Sequence, residues 1–269
     1  RGKKMLDLFG RTAIITGAGS GIGAAVSEKL FERNCNIVMI AKSQKNVQKV
    51  AEKLVETKQA SHQGTVEYYA CDVRKEKELA TIKDRVLMKD GKIDILVTCA
   101  AAPAASGKAE EITYEDWKSV MQTDLDGAFL SCKIFGTSMI SKGYGRIVNL
   151  TSFHTIATYP ERVVYNVAKS GVEGLTRALA VEWGKYGITI NAVAPGPIIT
   201  PRTSWFLSQS PDIGKGMLSR TPNRRLGEAE DVAELIAFLV SEEAKHINGQ
   251  QIVIDGGWTK SAWWGSYCE

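Results

Sequence analysis

The feature that most constrains the fold of this chain is a regular alternation of short, apolar, β-branched segments with longer segments of helical periodicity. Helical segments are predicted at 22–33, 45–57, 75–88 and 163–183. The apolar runs are typical of strands that are covered on both faces. This alternation predicts an α/β fold, with a doubly wound parallel sheet of about seven strands and helices on both faces. The predicted strands are 12–16, 37–40, 66–70, 93–98, 146–150, 189–193 and 251–254.

The 269 residues contain no Pro/Ser-rich linker and no break in composition, which favours one domain over 1–269. Connections between predicted elements are short except for 201–225, which lies between the sixth and seventh strands. A long insert of this kind predicts a functional loop or lid over the substrate. The aromatic residues at the end of the chain are expected to pack on this subunit or on a neighbour, namely Trp258, Trp263, Trp264 and Tyr267.

Composition excludes several function classes. A hydrophobic content of 44% is enough for a buried core, and a net charge of +4 spread over the chain argues against a nucleic-acid partner. No apolar run reaches the roughly 18 residues of a membrane span. The 5 cysteines form no CxxC pair and the 3 histidines stand apart, which indicates reduced thiols and no metal site. We therefore expect a cytoplasmic location, with organelle targeting left open because processing ahead of Arg1 would hide a leader.

A glycine-rich turn, TGAGSGIG at 16–23, follows the first predicted strand and opens the first predicted helix. Glycines permit a tight turn and the close approach of backbone N–H groups to a pyrophosphate, and the helix N-terminus adds free donors and a positive dipole end. In this context the turn predicts a dinucleotide site formed by Gly17, Gly19, Ser20, Gly21, Ile22 and Gly23.

The end of the second predicted strand bears on the choice of cofactor. About 20 residues beyond the glycine turn, an NAD-binding fold usually has an acidic residue that accepts from the ribose 2′-hydroxyl. This chain instead has Lys42 and Ser43, followed by Lys45. An ammonium attracts a 2′-phosphate, so the segment favours NADP(H), with NAD(H) left open; the alternative is that Lys42 is a solvated lysine at a helix start. Asp72, before Val73, either accepts from the adenine amino group or caps the segment that follows.

Tyr165 and Lys169 lie four positions apart within a predicted helix and therefore share one face. A free tyrosine has a pKa of about 10, and a neighbouring ammonium, helped by an oxidised nicotinamide, favours the phenolate and lowers that pKa. Ser152 ends the fifth predicted strand, at the edge where α/β folds bind ligands. Its hydroxyl is placed to hold a carbonyl oxygen beside Tyr165, so the three residues together predict proton transfer to or from an oxygen.

With the glycine-rich turn and the set of Ser152, Tyr165 and Lys169, the chain resembles the short-chain dehydrogenase/reductase family over nearly its whole length. The resemblance implies a single Rossmann-type domain, usually in a homotetramer, that moves a hydride between a nicotinamide and an alcohol/carbonyl pair. It also implies roles: Tyr165 is the general acid/base, Lys169 lowers its pKa and holds the nicotinamide ribose, and Ser152 positions the substrate oxygen. Pro195, Gly196, Ile198 and Thr200 would hold the nicotinamide amide. The matching segments are 16–23, Asp72-Val73, Ser152, 165–169, 191–198 and Asp255-Gly256-Gly257.

Two departures from the family pattern stand out. After the fourth strand the family usually has Asn-Asn-Ala-Gly, whereas this chain has TCAA at 98–101, so the hydrogen bonds of that turn must be met differently. Cys99 is interpreted as a packed thiol, because nothing near it in sequence would activate it. The fourth catalytic position, an Asn in the family, is Asp124, which only accepts hydrogen bonds when ionised. Either a water relay to Lys169 survives, or Asp124 pairs with Lys169 directly.

The substrate is expected between 101–106, 153–159 and the 201–225 insert, with Trp205 and Phe206 as an apolar lid. His154 either contacts the substrate or is a partly exposed loop histidine. Arg162 and Arg202 either bind an anionic group or are surface charges.

Three functions are compatible with the sequence. An NADP(H)-linked carbonyl reductase or alcohol dehydrogenase is favoured because Ser152, Tyr165 and Lys169 are all present. An enoyl- or 3-oxoacyl-thioester reductase would need a basic rim, for which Arg202, Lys215 and Arg220 are the candidates. A non-catalytic dinucleotide sensor is the third.

Overall fold

The computed structural model describes residues 6–57, 62–103 and 106–261. Seven parallel strands form one sheet in the order β3-β2-β1-β4-β5-β6-β9. A small second sheet pairs β7 with β8. The bounds are β1 Thr12–Thr16, β2 Asn36–Ala41, β3 Val66–Ala70, β4 Ile95–Thr98, β5 Gly145–Leu150, β6 Ile188–Pro195, β7 Ile198–Ile199, β8 Gly227–Glu228 and β9 Gln251–Ile254.

Helices cover both faces of the seven-stranded sheet, as the alternating sequence predicts. Along β1, Ala13 and Ile15 pack in one apolar cluster with α1, α2 and α9, while Ile14 packs in the opposite cluster with α3, α5 and α6. This alternation follows from the two-residue repeat of a strand. The helices are α1 Gly21–Glu32, α2 Gln44–Glu56, α3 Glu76–Asp90, α4 Tyr114–Val120, α5 Gly127–Lys142, α6 Val163–Trp183, α7 Pro201–Gln209, α8 Pro211–Arg220 and α9 Ala229–Leu239.

Strand order reverses direction between β1 and β4, because the chain runs outward through β2 and β3 and then returns to the other side of β1. In open α/β sheets, ligands bind outside the carboxyl ends of the strands at such a point. The glycine-rich turn follows β1 at this position, and the segment after β4 lies beside it. The fold confirms the predicted doubly wound, Rossmann-type sheet, and the predicted strands differ from the observed ones only at their ends.

The insert at 201–225, predicted as a functional loop or lid, is largely helical, because α7 and α8 occupy 201–220. Each helix begins at a proline, Pro201 or Pro211, and proline is well tolerated in the first turn because its missing N–H would have no intrahelical acceptor there. Leucine and methionine side chains from the pair, Leu207 and Met217, face the cavity described below. The segment is therefore a helical cover over the carboxyl edge of the sheet.

Trp258 packs within its own subunit, as expected for one of the aromatic residues near the end of the chain. Its ring meets Phe153 edge to face at 4.8 Å between centroids, and the guanidinium of Arg220 lies 4.4 Å from its centroid. The predictions for Trp263, Trp264 and Tyr267 fall outside the described residues. Within the described ranges, no helix has the length and apolarity needed to cross a bilayer.

Candidate active site

A cavity of about 470 Å³ opens at the carboxyl edge of the sheet. It brings together most of the residues to which the sequence assigns cofactor or substrate contacts. The predicted site residues that line it are Gly17, Gly19, Ser20, Gly21, Ile22, Gly23, Ser152, Tyr165, Pro195, Gly196, Ile198 and Thr200. Lys169 and Asp124 are buried behind this lining, while Lys42, Asp72 and Val73 lie outside it.

Two glycines of the β1–α1 turn are required by close backbone approach. Gly17 has a φ of 69°, and a Cβ there would lie 2.6 Å from the backbone of Cys99 and Ala100. A Cβ on Gly23 would lie 2.4 Å from the carbonyl oxygen of Gly17. The side chain of Ser20, the N-cap of α1, makes no cap hydrogen bond. The turn therefore presents the N-terminus of α1 and a hydroxyl to the cavity, which suits a pyrophosphate.

Ser152 and Tyr165 reach the cavity from two different elements. Ser152 follows β5 in extended conformation, and its Oγ accepts a 3.3 Å hydrogen bond from the backbone N–H of His154. Tyr165 lies in the first turn of α6. The side chain of Asn166, which the sequence analysis did not single out as a contact, donates to the carbonyl oxygen of His154 and joins α6 to the turn after Ser152.

Lys169 lies one helical turn beyond Tyr165 and is buried, with its Nζ 5.7 Å from the centroid of the Tyr165 ring. The ammonium donates to the carbonyl oxygen of Leu150 at 3.1 Å and lies 3.3 Å from Oδ2 of Asp124. Burial alone would lower the pKa of Lys169, but the carboxylate of Asp124, followed by Tyr165, outweighs it and raises the pKa above its usual value. Lys169 therefore stays protonated although it is buried.

Asp124 connects the ammonium to the segment after β4. It lies in a π-helical turn, Met121–Asp126, between α4 and α5, and its Oδ1 accepts from the backbone N–H of Ala102 at 2.7 Å. Of the two arrangements that the sequence leaves open, the structure has the direct pair with Lys169. The Asp124 side chain thus contacts one peptide N–H and one ammonium. The Asn of the family pattern is neutral and could not balance the charge of Lys169.

The unusual turn at 98–101 finds its hydrogen bonds in β1. Cys99 N–H donates to the carbonyl oxygen of Thr16 at 3.2 Å, and Ala100 N–H donates to Oγ1 of Thr16 at 3.4 Å. Burial raises the pKa of the Cys99 thiol to about 12. The thiol is therefore protonated at neutral pH, which agrees with the interpretation of Cys99 as a packing residue.

Lys42 and Asp72 form part of a charged cluster just outside the cavity. The Lys42 side chain is 76% exposed, and its Nζ lies 3.5 Å from Oδ2 of Asp72. Arg74, which sequence reasoning missed, donates to both carboxylate oxygens of Asp72 at 2.9 and 2.6 Å. Its hydrogen bonds hold the pKa of Asp72 well below the usual range. Because α3 begins at Glu76 and Asp72 instead accepts from the Arg74 backbone, the expectation that Asp72 caps the next helix is wrong.

His154 is buried, so the alternative of a partly exposed loop histidine is wrong. Its ring meets Tyr165 edge to face at 5.5 Å, and its Nδ1 lies 3.2 Å from Oγ1 of Thr158. Burial, with a smaller contribution from Arg162, lowers the pKa of His154 to about 4. The imidazole is therefore neutral at neutral pH, and it lines the cavity as an aromatic neighbour of Tyr165.

Of the two arginines considered for an anionic substrate, only Arg202 lines the cavity. Its Nη1 donates to the carbonyl oxygen of Ala102 at 3.1 Å, which connects the start of α7 to the segment after β4. Arg162 instead donates to Ser106 and lies over the ring of Tyr159. Trp205 is 68% exposed and does not line the cavity, and the side chain of Phe206, the other residue of the predicted apolar lid, lies outside the described residues.

Comparison with known proteins places this geometry in a family. A family model described as enoyl-(acyl carrier protein) reductase matches residues 17–259. A D-threitol dehydrogenase from Mycolicibacterium smegmatis is 34% identical over 94% of each chain, and an NAD-dependent glycerol dehydrogenase from Listeria innocua is 32% identical over 95% of this chain and 96% of that protein. Both relatives are named for the oxidation of an alcohol.

A solved structure supports the same assignment. It is that of a Beutenbergia cavernae protein assigned as an NAD(P)-dependent gluconate 5-dehydrogenase, with bound NADP at low occupancy; it has a TM-score of 0.87 and 31% identity over 95% of this chain and 99% of that one. The function that these findings share is nicotinamide-dependent oxidation and reduction of an alcohol/carbonyl pair. The chain belongs to the short-chain dehydrogenase/reductase family.

Proposed function

We propose that this chain is one catalytic domain that transfers a hydride between NADP(H) and a carbonyl or alcohol substrate, with Tyr165 as the general acid/base. The observation that carries the proposal is that Ser152 and Tyr165 line the same cavity as the glycine-rich turn, with the Lys169 ammonium directly behind Tyr165. Hydride donor, oxygen-binding hydroxyl and proton donor then meet at one place, which this reaction requires.

The residues fit a dinucleotide. The β1–α1 turn needs glycine at positions 17 and 23, and the hydroxyl of Ser20 makes no capping hydrogen bond to α1. In this proposal the β1–α1 turn binds the pyrophosphate, while the turn with Pro195, Gly196 and Ile198, together with Thr200, holds the nicotinamide end. The bound nicotinamide supplies or accepts the hydride.

The protein's own part of the reaction is to place and move a proton. Ser152 donates a hydrogen bond to the substrate oxygen and fixes it beside the Tyr165 hydroxyl. In reduction Tyr165 gives its proton to that oxygen as the carbon receives the hydride, and in oxidation it takes the proton back. Lys169 stabilises the negative charge that remains on the phenol oxygen. Asp124 is a positioning residue, because it keeps Lys169 charged and in place.

The preference for NADP(H) is supported by charge. Among the described residues that line the cavity there is no Asp or Glu, and the nearby cluster of Lys42, Asp72 and Arg74 has two cations for one anion. Ser43, the N-cap of α2, also lines the cavity on this side. A 2′-phosphate would meet net positive charge here. Relatives use both cofactors, so competing titrations of NADPH and NADH against this protein are the direct test.

A thioester reductase is supported less well than a reductase of simple carbonyls. Of the three cations available for a basic rim, Lys215 pairs with Asp212 at 3.3 Å and Arg220 lies over Trp258. Only Arg202 faces the cavity. Turnover of an acyl-thioester together with failure on every free ketone would reverse this ranking.

We also propose a cytoplasmic homotetramer. The cysteines in the described ranges are free thiols, which suits a reducing compartment. Apolar side chains on α5 and α6 are exposed in the single subunit, including Phe129, Val167 and Val181. Such surfaces commonly mark a subunit interface. Light scattering of the purified protein would give the number of subunits, and a monomer would reject this part of the proposal.

The decisive experiment for the reaction is Tyr165→Phe. Loss of the general acid should lower kcat for carbonyl reduction by at least about a hundredfold. Affinity for NADPH, measured by fluorescence titration, should be unchanged, because the ring remains in place. If the variant reduces carbonyls at the normal rate, the assignment of Tyr165 is wrong. If the unmodified protein binds NADPH but reduces nothing in a broad carbonyl panel, the sensor function is correct instead.

A further inference from the structure

Arg202 is the one residue with a full charge at neutral pH among the described residues that line the cavity. The other lining side chains are apolar, hydroxylic or amide groups, apart from a thiol and the neutral imidazole of His154. A cation at the mouth of an otherwise uncharged cavity sets the electrostatic potential that an entering substrate meets.

The charge of Arg202 is not neutralised by a neighbouring carboxylate within the described ranges. Its hydrogen bond goes to a neutral acceptor, the carbonyl oxygen of Ala102, through Nη1. By contrast, Lys215 on α8 is paired with Asp212, and Arg225 is paired with Asp231. The remaining donors of the Arg202 guanidinium fork are therefore available to a ligand.

Helix stability does not account for an arginine at this position. Arg202 lies in the first turn of α7, which contains no acidic residue. The N-terminal end of a helix carries partial positive charge, so a cation there is mildly unfavourable. An anion bound beside Arg202 would offset both positive charges at once.

Apart from the phenol of Tyr159 and the imidazole of His154, the rest of the substrate side of the cavity is mostly apolar. Leu207 and Met217 line it from the helical cover, Leu226 lines it from the segment just before β8, and Phe153 lines it from the turn after β5. The hydroxyls of Thr200 and Thr203 are hydrogen bonded to each other at 3.0 Å. A polyol would leave several hydroxyls without partners against such a wall, whereas an apolar spacer would not.

We infer that the substrate is a small oxo acid or hydroxy acid, whose carboxylate is bound by Arg202 while its reacting oxygen lies at Ser152 and Tyr165. This inference rests on the proposed function for the identity of the reacting end, but the carboxylate site stands on Arg202 alone. The planar guanidinium fork matches a carboxylate in two parallel hydrogen bonds. The apolar part of the substrate would span the distance between the two ends.

The turnover experiment compares acids with their neutral esters. The substrates are 3-oxobutanoate, 4-oxopentanoate and 5-oxohexanoate, each beside its methyl ester, with glycerol and threitol as neutral polyols. For at least one chain length, kcat/KM should be higher for the acid than for the ester. Arg202→Gln should lower kcat/KM for that acid by about tenfold to a hundredfold, the usual size for a charged hydrogen bond, and leave the ester nearly unchanged.

Matched variants and a binding measurement separate the outcomes. Arg85→Gln, which removes one exposed arginine of α3, should change nothing. If Arg202→Gln lowers kcat/KM equally for acid and ester, Arg202 only connects α7 to Ala102. If the variant raises KM for NADPH with every substrate, Arg202 is a cofactor contact. Either result overturns the inference. Calorimetric titration of pentanoate and pentanamide into the NADP⁺ complex tests the site without turnover. Binding of the acid that Arg202→Gln abolishes would support the site even if no substrate reacted, in which case the proposed reaction alone fails.

Discussion

Two clusters, each of oppositely charged side chains, lie at the carboxyl edge of the same sheet. They differ in how deeply their charged groups are buried. Asp124 and Lys169 are both buried, with their charged atoms 3.3 Å apart. Asp72 is partly covered, while its partners Lys42 and Arg74 extend to the surface. Among the described residues, Asp124 is the one carboxylate paired with the buried ammonium of Lys169, so that pair is essential to the local structure. The outer cluster is solvated, so it can adjust cofactor preference at little cost in stability.

Removing the inner carboxylate should have the largest effect. Asp124→Ala leaves the buried ammonium of Lys169 with the backbone carbonyl of Leu150 as its acceptor and leaves the N–H of Ala102 without its carboxylate acceptor. Loss of one member of a buried pair typically costs about 3–5 kcal/mol of unfolding free energy. The matched change in the outer cluster, Asp72→Ala, should cost about 1 kcal/mol or less. Urea unfolding of both variants checks this, and equal costs would contradict the distinction between the two clusters.

Reversing one charge of the outer cluster should change cofactor choice without affecting the fold. Lys42→Asp introduces repulsion towards a 2′-phosphate, so the ratio of kcat/KM for NADPH to that for NADH should fall by about tenfold or more. Stability should stay within about 0.5 kcal/mol, as for other surface substitutions. Lys49→Asp, an equivalent charge reversal on the exposed side of α2, is the control. An unchanged ratio would show that Lys42 is only a solvated lysine.

Neutralising the inner carboxylate while keeping its shape should move the pH profile. Asp124 raises the pKa of Lys169, so Asp124→Asn removes that contribution while burial continues to lower the pKa. Lys169 then loses its proton at lower pH, and the alkaline limit of kcat/KM should move down by about one pH unit or more. Rates measured from neutral to alkaline pH with a saturating cofactor test this. A limit that stays in place would mean that Lys169 does not govern it.

His154, unlike Lys169, is buried as a neutral group. The pKa of His154 is lowered from 6.5 to about 4, mainly by burial, so the unfolded chain takes up a proton below pH 6.5 that the folded protein does not. Stability should therefore fall as pH falls from 6.5 towards 4, with a slope of at most about 1.4 kcal/mol per pH unit from this residue. Above pH 6.5 the contribution is constant. His154→Phe should flatten the decline in that window in chemical unfolding curves, and an equally steep decline would assign it to other groups.

The sequence by itself determined the parallel sheet, the glycine-rich turn and the proximity of Tyr165 to Lys169. Those features follow from residue periodicity and from spacings within one turn or one helix, so they need no knowledge of distant contacts. The tertiary structure decided the pairing of Asp124 with Lys169 and the hydrogen bond from Arg202 to Ala102. It also decided the burial of His154 and the ion pair between Asp72 and Arg74. It also decided that 201–220 is helical, although the prolines at 201 and 211 are compatible with helix starts. Most of these contacts join residues from separate elements, and which side chains meet across a cavity depends on how the elements pack.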